Sequence, residues 1–136
     1  IASFPFKLAV SKKHPLSKES HVHLSQVENE KFILFNEHFI HHEVFWKFMN
    51  SCRIIPNILA EVSDLQGFEN FIQQKNTIGI LVDFLKLEDI HLIELDEPEP
   101  VQFYLYLAKQ KDGKITDEAF NEMELYIRNQ IYALKN

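Results

Sequence analysis

The chain holds one cysteine, Cys52, so no intrachain disulfide can form, and cysteine usage fits a reducing compartment such as the cytoplasm. It holds three glycines, and none belongs to a Gly-rich loop of the kind that cradles phosphates. No apolar run approaches the roughly 18–20 residues that a membrane span needs, so no membrane partner is expected. No signal-peptide pattern appears. Positive charge is scarce and scattered: 14 Lys and Arg against 20 Asp and Glu give a net charge of −6. A nucleic-acid face needs clustered cations to neutralise phosphates, so this segment is not expected to grip DNA or RNA itself. Ser11 and Ser17 lack a nucleophile-elbow motif, and no His-Glu-x-x-His pair is present.

What is present suits one folded unit. The 136 residues are 46% hydrophobic and 25% charged, with twelve Phe, enough to fill an apolar interior. Phe6–Val10 reads as a strand that ends in the basic turn Lys12-Lys13-His14-Pro15. A short segment at Leu24–Val27 follows. Phe32–Phe35 is wholly apolar, as in a strand buried on both faces. Asn36–Ile40 makes a turn, and 41–53 is helical, with Phe45, Phe48, Met49 and Cys52 on one stripe. That stripe makes Cys52 a core residue rather than a nucleophile.

Ile54–Val62 reads as the next strand. Ser63 and Gln66 fit a capping box for a helix that buries Leu65, Phe68 and Ile72. Ile78–Val82 is another doubly buried strand, and His91–Leu95 a weaker one. Glu97-Pro98-Glu99-Pro100 reads as a linker. Val101–Ala108 follows as a long strand whose Phe and Tyr residues serve packing, then a turn at Lys111–Lys114. Thr116 caps a last helix striped by Phe120, Met123, Ile127, Ile131 and Leu134. Strands alternating with helices imply an α/β fold with a largely parallel sheet. The first strand has no helix after it and is expected to be the antiparallel member.

The order of these motifs resembles the effector-binding domain of LysR-type transcriptional regulators. The resemblance rests on Leu8-Ala9-Val10 with His14-Pro15-Leu16, Phe32–Phe35, Glu61-Val62-Ser63, Ile78–Leu81 and Tyr104–Leu107, and covers nearly the whole chain. Two stretches depart from the family pattern. Lys75-Asn76-Thr77 lacks a glycine that the family often has before Gly-Ile, and Asp83 stands where a proline is common.

The resemblance implies a periplasmic-binding-protein-like (type II) fold of two subdomains around an effector cleft. Residues 1–99 would form most of the second subdomain, and 100–136 the returning strand and helix of the first. The first residue is Ile1 rather than Met, and the chain is expected to be part of a longer polypeptide with a helix-turn-helix DNA-binding domain upstream. Contact with DNA would then come only through that domain. The residues themselves speak against an enzyme, no cofactor is expected, and the setting is expected to be cytoplasmic. A solute-binding fragment of the transport type is the alternative reading, since it shares the fold.

Ligands of open α/β sheets bind beyond the carboxyl ends of the parallel strands. Asn36–Ile40, Ser63–Asp64 and Asp83–Phe84 meet that condition. Asn36, Glu37, His38, Phe39, Ser63, Asp64 and Asp83 are therefore the expected effector-binding residues, the first four also by the resemblance. Free N–H groups at helix starts there would receive a carboxylate or phosphate. His38, His41 and His42 with Glu37 and Glu43 invite a metal reading, but a solvated helix start accounts for them, as a turn or edge does for His21 and His23. If the resemblance holds, the basic turn at 12–15 lies away from the cleft. The strand at 101–108 is expected to lack its usual partner sheet and to pair with a second copy, giving a homo-oligomer, or to dock in a way foreign to the family.

Overall fold

The computed structural model describes residues 2–85, 87–97, 102–106, 108 and 113–135. In chain order the elements are β1 (Ala2–Ser11), β2 (His21–Val22), β3 (Lys31–Phe35), α1 (Ile40–Ser51), β4 (Asn57–Val62), α2 (Leu65–Lys75), β5 (Gly79–Val82), β6 (Ile90–Leu95), β7 (Gln102–Leu105) and α3 (Asp117–Lys135). Short 3₁₀ turns at Pro15–Lys18 and Leu24–Val27 fill the stretch around β2.

Leu8, Ala9 and Val10 of β1 are all fully buried, so this strand is covered on both faces. Buried backbone groups need ladder partners on both edges. β5 pairs along one edge, with Leu8 opposite Ile80, and β6 along the other, with Leu8 opposite Ile93; both pairings are antiparallel. β3 pairs with β4 in parallel and joins β5 through a parallel bridge from Phe32 to Ile78. The strands thus run β4-β3-β5-β1-β6-β2, with β2 parallel to β6. β1 is the one reversed strand on this path among the described residues, as the missing helix after it implied.

Side chains alternate across a strand, so this sheet divides the core in two. Leu8, Val10, Phe32, Leu34, Ile80 and Val82 meet Val44, Phe45, Phe48 and Met49 of α1. Ala9, Ile33, Phe35 and Leu81 meet Phe68 and Ile72 of α2 on the other face. Phe35 stacks on Phe68, with ring centroids 4.6 Å apart and planes 12° from parallel. Such a pair contributes about 0.5–1.5 kcal/mol beyond its buried area.

The basic turn has a structural logic. His14 is buried, and its Nδ1 accepts the Leu16 N–H at 3.0 Å. Its proton therefore sits on Nε2, 3.7 Å from a Glu30 carboxylate oxygen. Pro15 opens the 3₁₀ turn, where its missing N–H costs nothing. Because β1 is reversed, this turn lies at the opposite end of the sheet from Val82.

Four expectations are corrected. The cap of α2 is Asp64, not Ser63: Asp64 Oδ1 accepts the Gly67 N–H at 2.7 Å, while Gln66 Nε2 turns to Asn70. Helix α1 starts at Ile40, one residue earlier than its stripe suggested, and β4 starts at Asn57 rather than Ile54. Within 101–108 the described strand is β7, Val101 and Leu107 lying outside the described residues, and it has a partner within the chain. β1 is ten residues long, and its first half reaches past β5 and β6 to pair antiparallel with β7, Ala2 opposite Leu105 and Pro5 opposite Gln102. Pro98–Pro100 of the linker, and Lys111 and Asp112 of the following turn, lie outside the described residues. Thr116 caps α3 as expected, its Oγ1 accepting the Ala119 N–H at 3.2 Å. The α3 stripe is only partly seated: Ile131 is buried, whereas Met123 is 40% exposed.

Gly79 is required by close approach rather than by its backbone angles. A Cβ there would lie 2.6 Å from Phe68 Cε2 and 3.1 Å from the Ile33 carbonyl oxygen. Phe68 cannot yield without breaking its stack on Phe35. Gly79→Ala is expected to destabilise the fold by about 1–3 kcal/mol in urea unfolding. Asp64→Ala should cost about 1 kcal/mol and Ser63→Ala only a few tenths. The reverse order would return the cap to Ser63.

Candidate functional site

The carboxyl ends of β3, β4 and β5 converge, and three hydrogen bonds lock them. Asn36 N–H donates to the Val62 carbonyl at 2.9 Å, fastening the loop after β3 to the end of β4. His42 Nδ1 donates to the Phe35 carbonyl at 2.8 Å and lies 3.6 Å from a Glu61 oxygen. Val82 N–H donates to His41 Nε2 at 3.2 Å, fastening the end of β5 to the first turn of α1. The three expected segments are therefore brought together at one end of the sheet.

Within the first segment, Asn36 turns the chain on itself. Its Oδ1 accepts the His38 N–H at 3.0 Å, and its carbonyl accepts the Phe39 N–H at 3.1 Å. This local bonding is what Asn offers at a turn. Glu37 and His38 are exposed, and Asn36 and Phe39 are half-buried. Phe39 packs on Phe35, with ring centroids 4.8 Å apart.

The two helix starts differ in charge. Asp64 places a carboxylate on the first N–H groups of α2 and so already satisfies that positive end. At α1 the cap is Phe39, which has no side-chain acceptor to give. Of its first N–H groups, that of His42 donates to the Phe39 carbonyl at 3.1 Å, and those of Ile40 and His41 have no acceptor further back in the helix. The first turn of α1 carries Glu43, whereas that of α2 carries no acidic residue. Asp83 is engaged elsewhere: its N–H donates to the Pro5 carbonyl at 2.9 Å, and its carboxylate lies 3.4 Å from Lys7 Nζ.

Sequence reasoning treated His41 as part of a solvated helix start. The structure buries it, 6% exposed, among the rings of Phe6, Phe35 and Phe39. Because Nε2 accepts from Val82, the neutral ring carries its proton on Nδ1. That Nδ1 is buried and has no hydrogen-bond partner. Nδ1 is the ring nitrogen nearest the backbone, so this idle donor sits beside the first turn of α1. Desolvation pushes its pKa down to about 4 from an ordinary 6.5. The signal was available in sequence: His41 stands four residues before Phe45 on the buried stripe.

The histidines do not converge, since His41 bonds Val82 and His42 bonds Phe35. Among the described residues no group of three His, Cys, Asp or Glu side chains could hold a metal ion. Cys52 is packed against the core and its thiol donates to Glu97 at 3.2 Å. Burial, and then the Glu97 carboxylate, raise its pKa to about 11, so it is a poor nucleophile.

Buried neutral His41 makes stability depend on pH. Between pH 6.5 and 4 the unfolded chain holds a proton on this ring that the folded chain refuses, so stability falls as pH falls through that window. The loss attributable to His41 is on the order of 3 kcal/mol. His41→Gln should flatten this part of the stability–pH curve in urea titrations at several pH values. An unchanged slope would mean that the ring is solvated.

Residues 1–122 match the family described as the LysR substrate binding domain. A malolactic fermentation system transcriptional activator from Lactococcus lactis subsp. lactis (strain IL1403) is 24% identical over 123 residues, which are 88% of this chain and 42% of that protein. The effector binding domain of QuiR, solved in complex with shikimate, superposes with a TM-score of 0.71 at 18% identity, over 94% of this chain and 63% of that one. HinK, a LysR family transcriptional regulator from Pseudomonas aeruginosa, gives a TM-score of 0.74 at 14% identity, over 95% and 46%. The chain thus spans less than half of the curated relative and of HinK, and under two thirds of the QuiR domain. At such identities the two solved structures speak for the fold.

Proposed function

The chain belongs to the LysR substrate-binding domain family, and we propose that it is the greater part of the ligand-sensing region of a transcription regulator. A small effector binds at the carboxyl ends of β3, β4 and β5 and biases an equilibrium between two domain arrangements. It does so only through its different affinity for the two. A DNA-binding domain elsewhere in the polypeptide reads the change. In this reading residues 1–99 are one wall of the cleft, and 100–136 return to the other subdomain.

The observation that carries the reading is the uncapped start of α1 together with the idle Nδ1–H of His41. Both belong to the first turn of α1, which carries one acidic side chain, Glu43. The effector class they favour is a small organic acid. Shikimate, named with the similar QuiR domain, carries a carboxylate. Asn36, Glu37, His38 and Phe39 form the rim, with Ser63 and Asp64 on the neighbouring loop. Asp83 serves to hold Lys7 rather than the ligand. The relative named as a transcriptional activator favours this reading over a transport-type solute-binding fragment. The family is one of regulators, and neither catalysis nor a cofactor enters the proposal.

A homo-oligomer is part of the same reading. Tyr104 and Tyr106 are 58% and 76% exposed, and Leu125, Tyr126 and Tyr132 of α3 are 62%, 65% and 70% exposed. A second copy against the 101–108 strand and α3 would cover them.

The test is a thermal-shift screen of the complete polypeptide with small organic acids, since a ligand of the native state raises its melting temperature. At least one acid is expected to raise it in a saturable way. His41→Phe, which removes the donor, should weaken that acid by about tenfold or more, the worth of a hydrogen bond to a charged group. An acid that binds His41→Phe as tightly as the unaltered protein would remove His41 from the site.

A further inference from the structure

A cavity opens at the other end of the sheet, where β1 finishes. Its volume is about 220 Å³, and it is lined by Ser11, Lys12, Lys13, Gln73 and Asp89. Three separate segments build it: the turn after β1, the last part of α2, and the loop that leads into β6. Hydrogen bonds tie them together. Lys12 N–H donates to the Asp89 carbonyl at 3.1 Å, Lys13 N–H to Ser11 Oγ at 3.1 Å, and Gln73 Nε2 to the Glu88 carbonyl at 3.4 Å. The walls are thus held in place without a ligand.

The charges of this cavity are separated rather than spent on each other. Among the described residues Lys12, Lys13 and Asp89 make no ion pair. Two ammonium groups stand on the β1 turn. One carboxylate stands on the β6 loop, near the carboxyl end of α2, where helix carbonyls also favour positive charge. Asp89 is held in the left-handed region, with φ 65°, a conformation costly for most side chains but open to Asp and Asn. Ser11, at 7% exposure, supplies a hydroxyl at the floor.

A ligand that suits this arrangement carries a negative group and a positive group a few bonds apart. A cavity of about 220 Å³ admits only a small ligand. We propose that this cavity is a second ligand site, separate from the one beside α1, and that it takes a small zwitterionic α-amino acid. The carboxylate faces Lys12, Lys13 and the Ser11 hydroxyl, and the ammonium faces Asp89. The proposal does not depend on the function assigned to the α1 end, because the two sites share no residue.

The test uses amide NMR spectra of the chain titrated with L-serine, with lactate as a carboxylate lacking the ammonium and ethanolamine as an amine lacking the carboxylate. Serine should give saturable shifts at Ser11, Lys12, Lys13, Gln73 and Asp89, with a Kd on the order of a millimolar for so small a ligand. Lactate and ethanolamine should bind several-fold more weakly. The double variant Lys12→Gln, Lys13→Gln and the single variant Asp89→Asn should each weaken serine by about three- to tenfold. Asn also tolerates a positive φ, and both lysines are exposed, so these variants keep the fold. Shifts that do not saturate, that centre on residues 36–42, or that are equal with lactate would overturn the proposal.

Discussion

The structure depends on one strand whose backbone must be bonded on both edges while its side chains are buried on both faces. Residues 8–10 of β1 meet that demand with β5 on one side and β6 on the other. The alternation of side chains then fixes everything around it. Leu8 and Val10 face α1, and Ala9 faces α2. A slip of one residue would exchange the two cores. Because β1 is longer than its neighbours its first half reaches β7, and because it runs against them its finish lies at the opposite pole from the carboxyl ends of β3 and β5. The two candidate ligand positions lie at opposite ends of the Phe6–Ser11 part of this strand.

Electrostatics sharpens what topology leaves broad. Strand ends of an α/β sheet offer several loops to a ligand, and the two helix starts here look alike in outline. Asp64 settles its own helix, whereas Phe39 leaves α1 open. His41 adds a donor that burial keeps neutral and that Val82 forces onto Nδ1. An idle buried donor costs about 1–3 kcal/mol, and an acceptor from an effector would recover it. The same burial that weakens the apo fold would therefore strengthen the bound one.

Much of this was legible in the sequence because it follows from periodicity. The apolar runs at Phe32–Phe35 and Ile78–Val82 could only be strands covered on both faces, and the absence of a helix after the first strand foretold its reversal. Phe45, Phe48 and Met49 announced the face of α1. What escaped depended on through-space partners. Ser63 and Asp64 are equally good caps on paper, and the choice rests on where Val62 leaves the sheet. The intrachain partner of residues 101–108 was hidden because β1 is longer than its apolar run, with Ala2 and Ser3 carrying no strand signal of their own. His41 read as solvent-facing until Val82 and three phenylalanine rings surrounded it. The Lys12-Lys13 turn was read as lying away from the cleft, yet a cavity there needs Gln73 and Asp89, which no spacing in the sequence connects to it.

The central claim is that His41 presents a neutral Nδ1–H donor at the start of α1 for an acidic effector. Long-range proton–nitrogen NMR of the histidine rings reads the tautomer directly. The account predicts that at pH 6 His41 is neutral with its proton on Nδ1, and that this proton moves to the shift of a strong hydrogen bond when the effector is added. A ring protonated at pH 6, or one carrying its proton on Nε2, would contradict it.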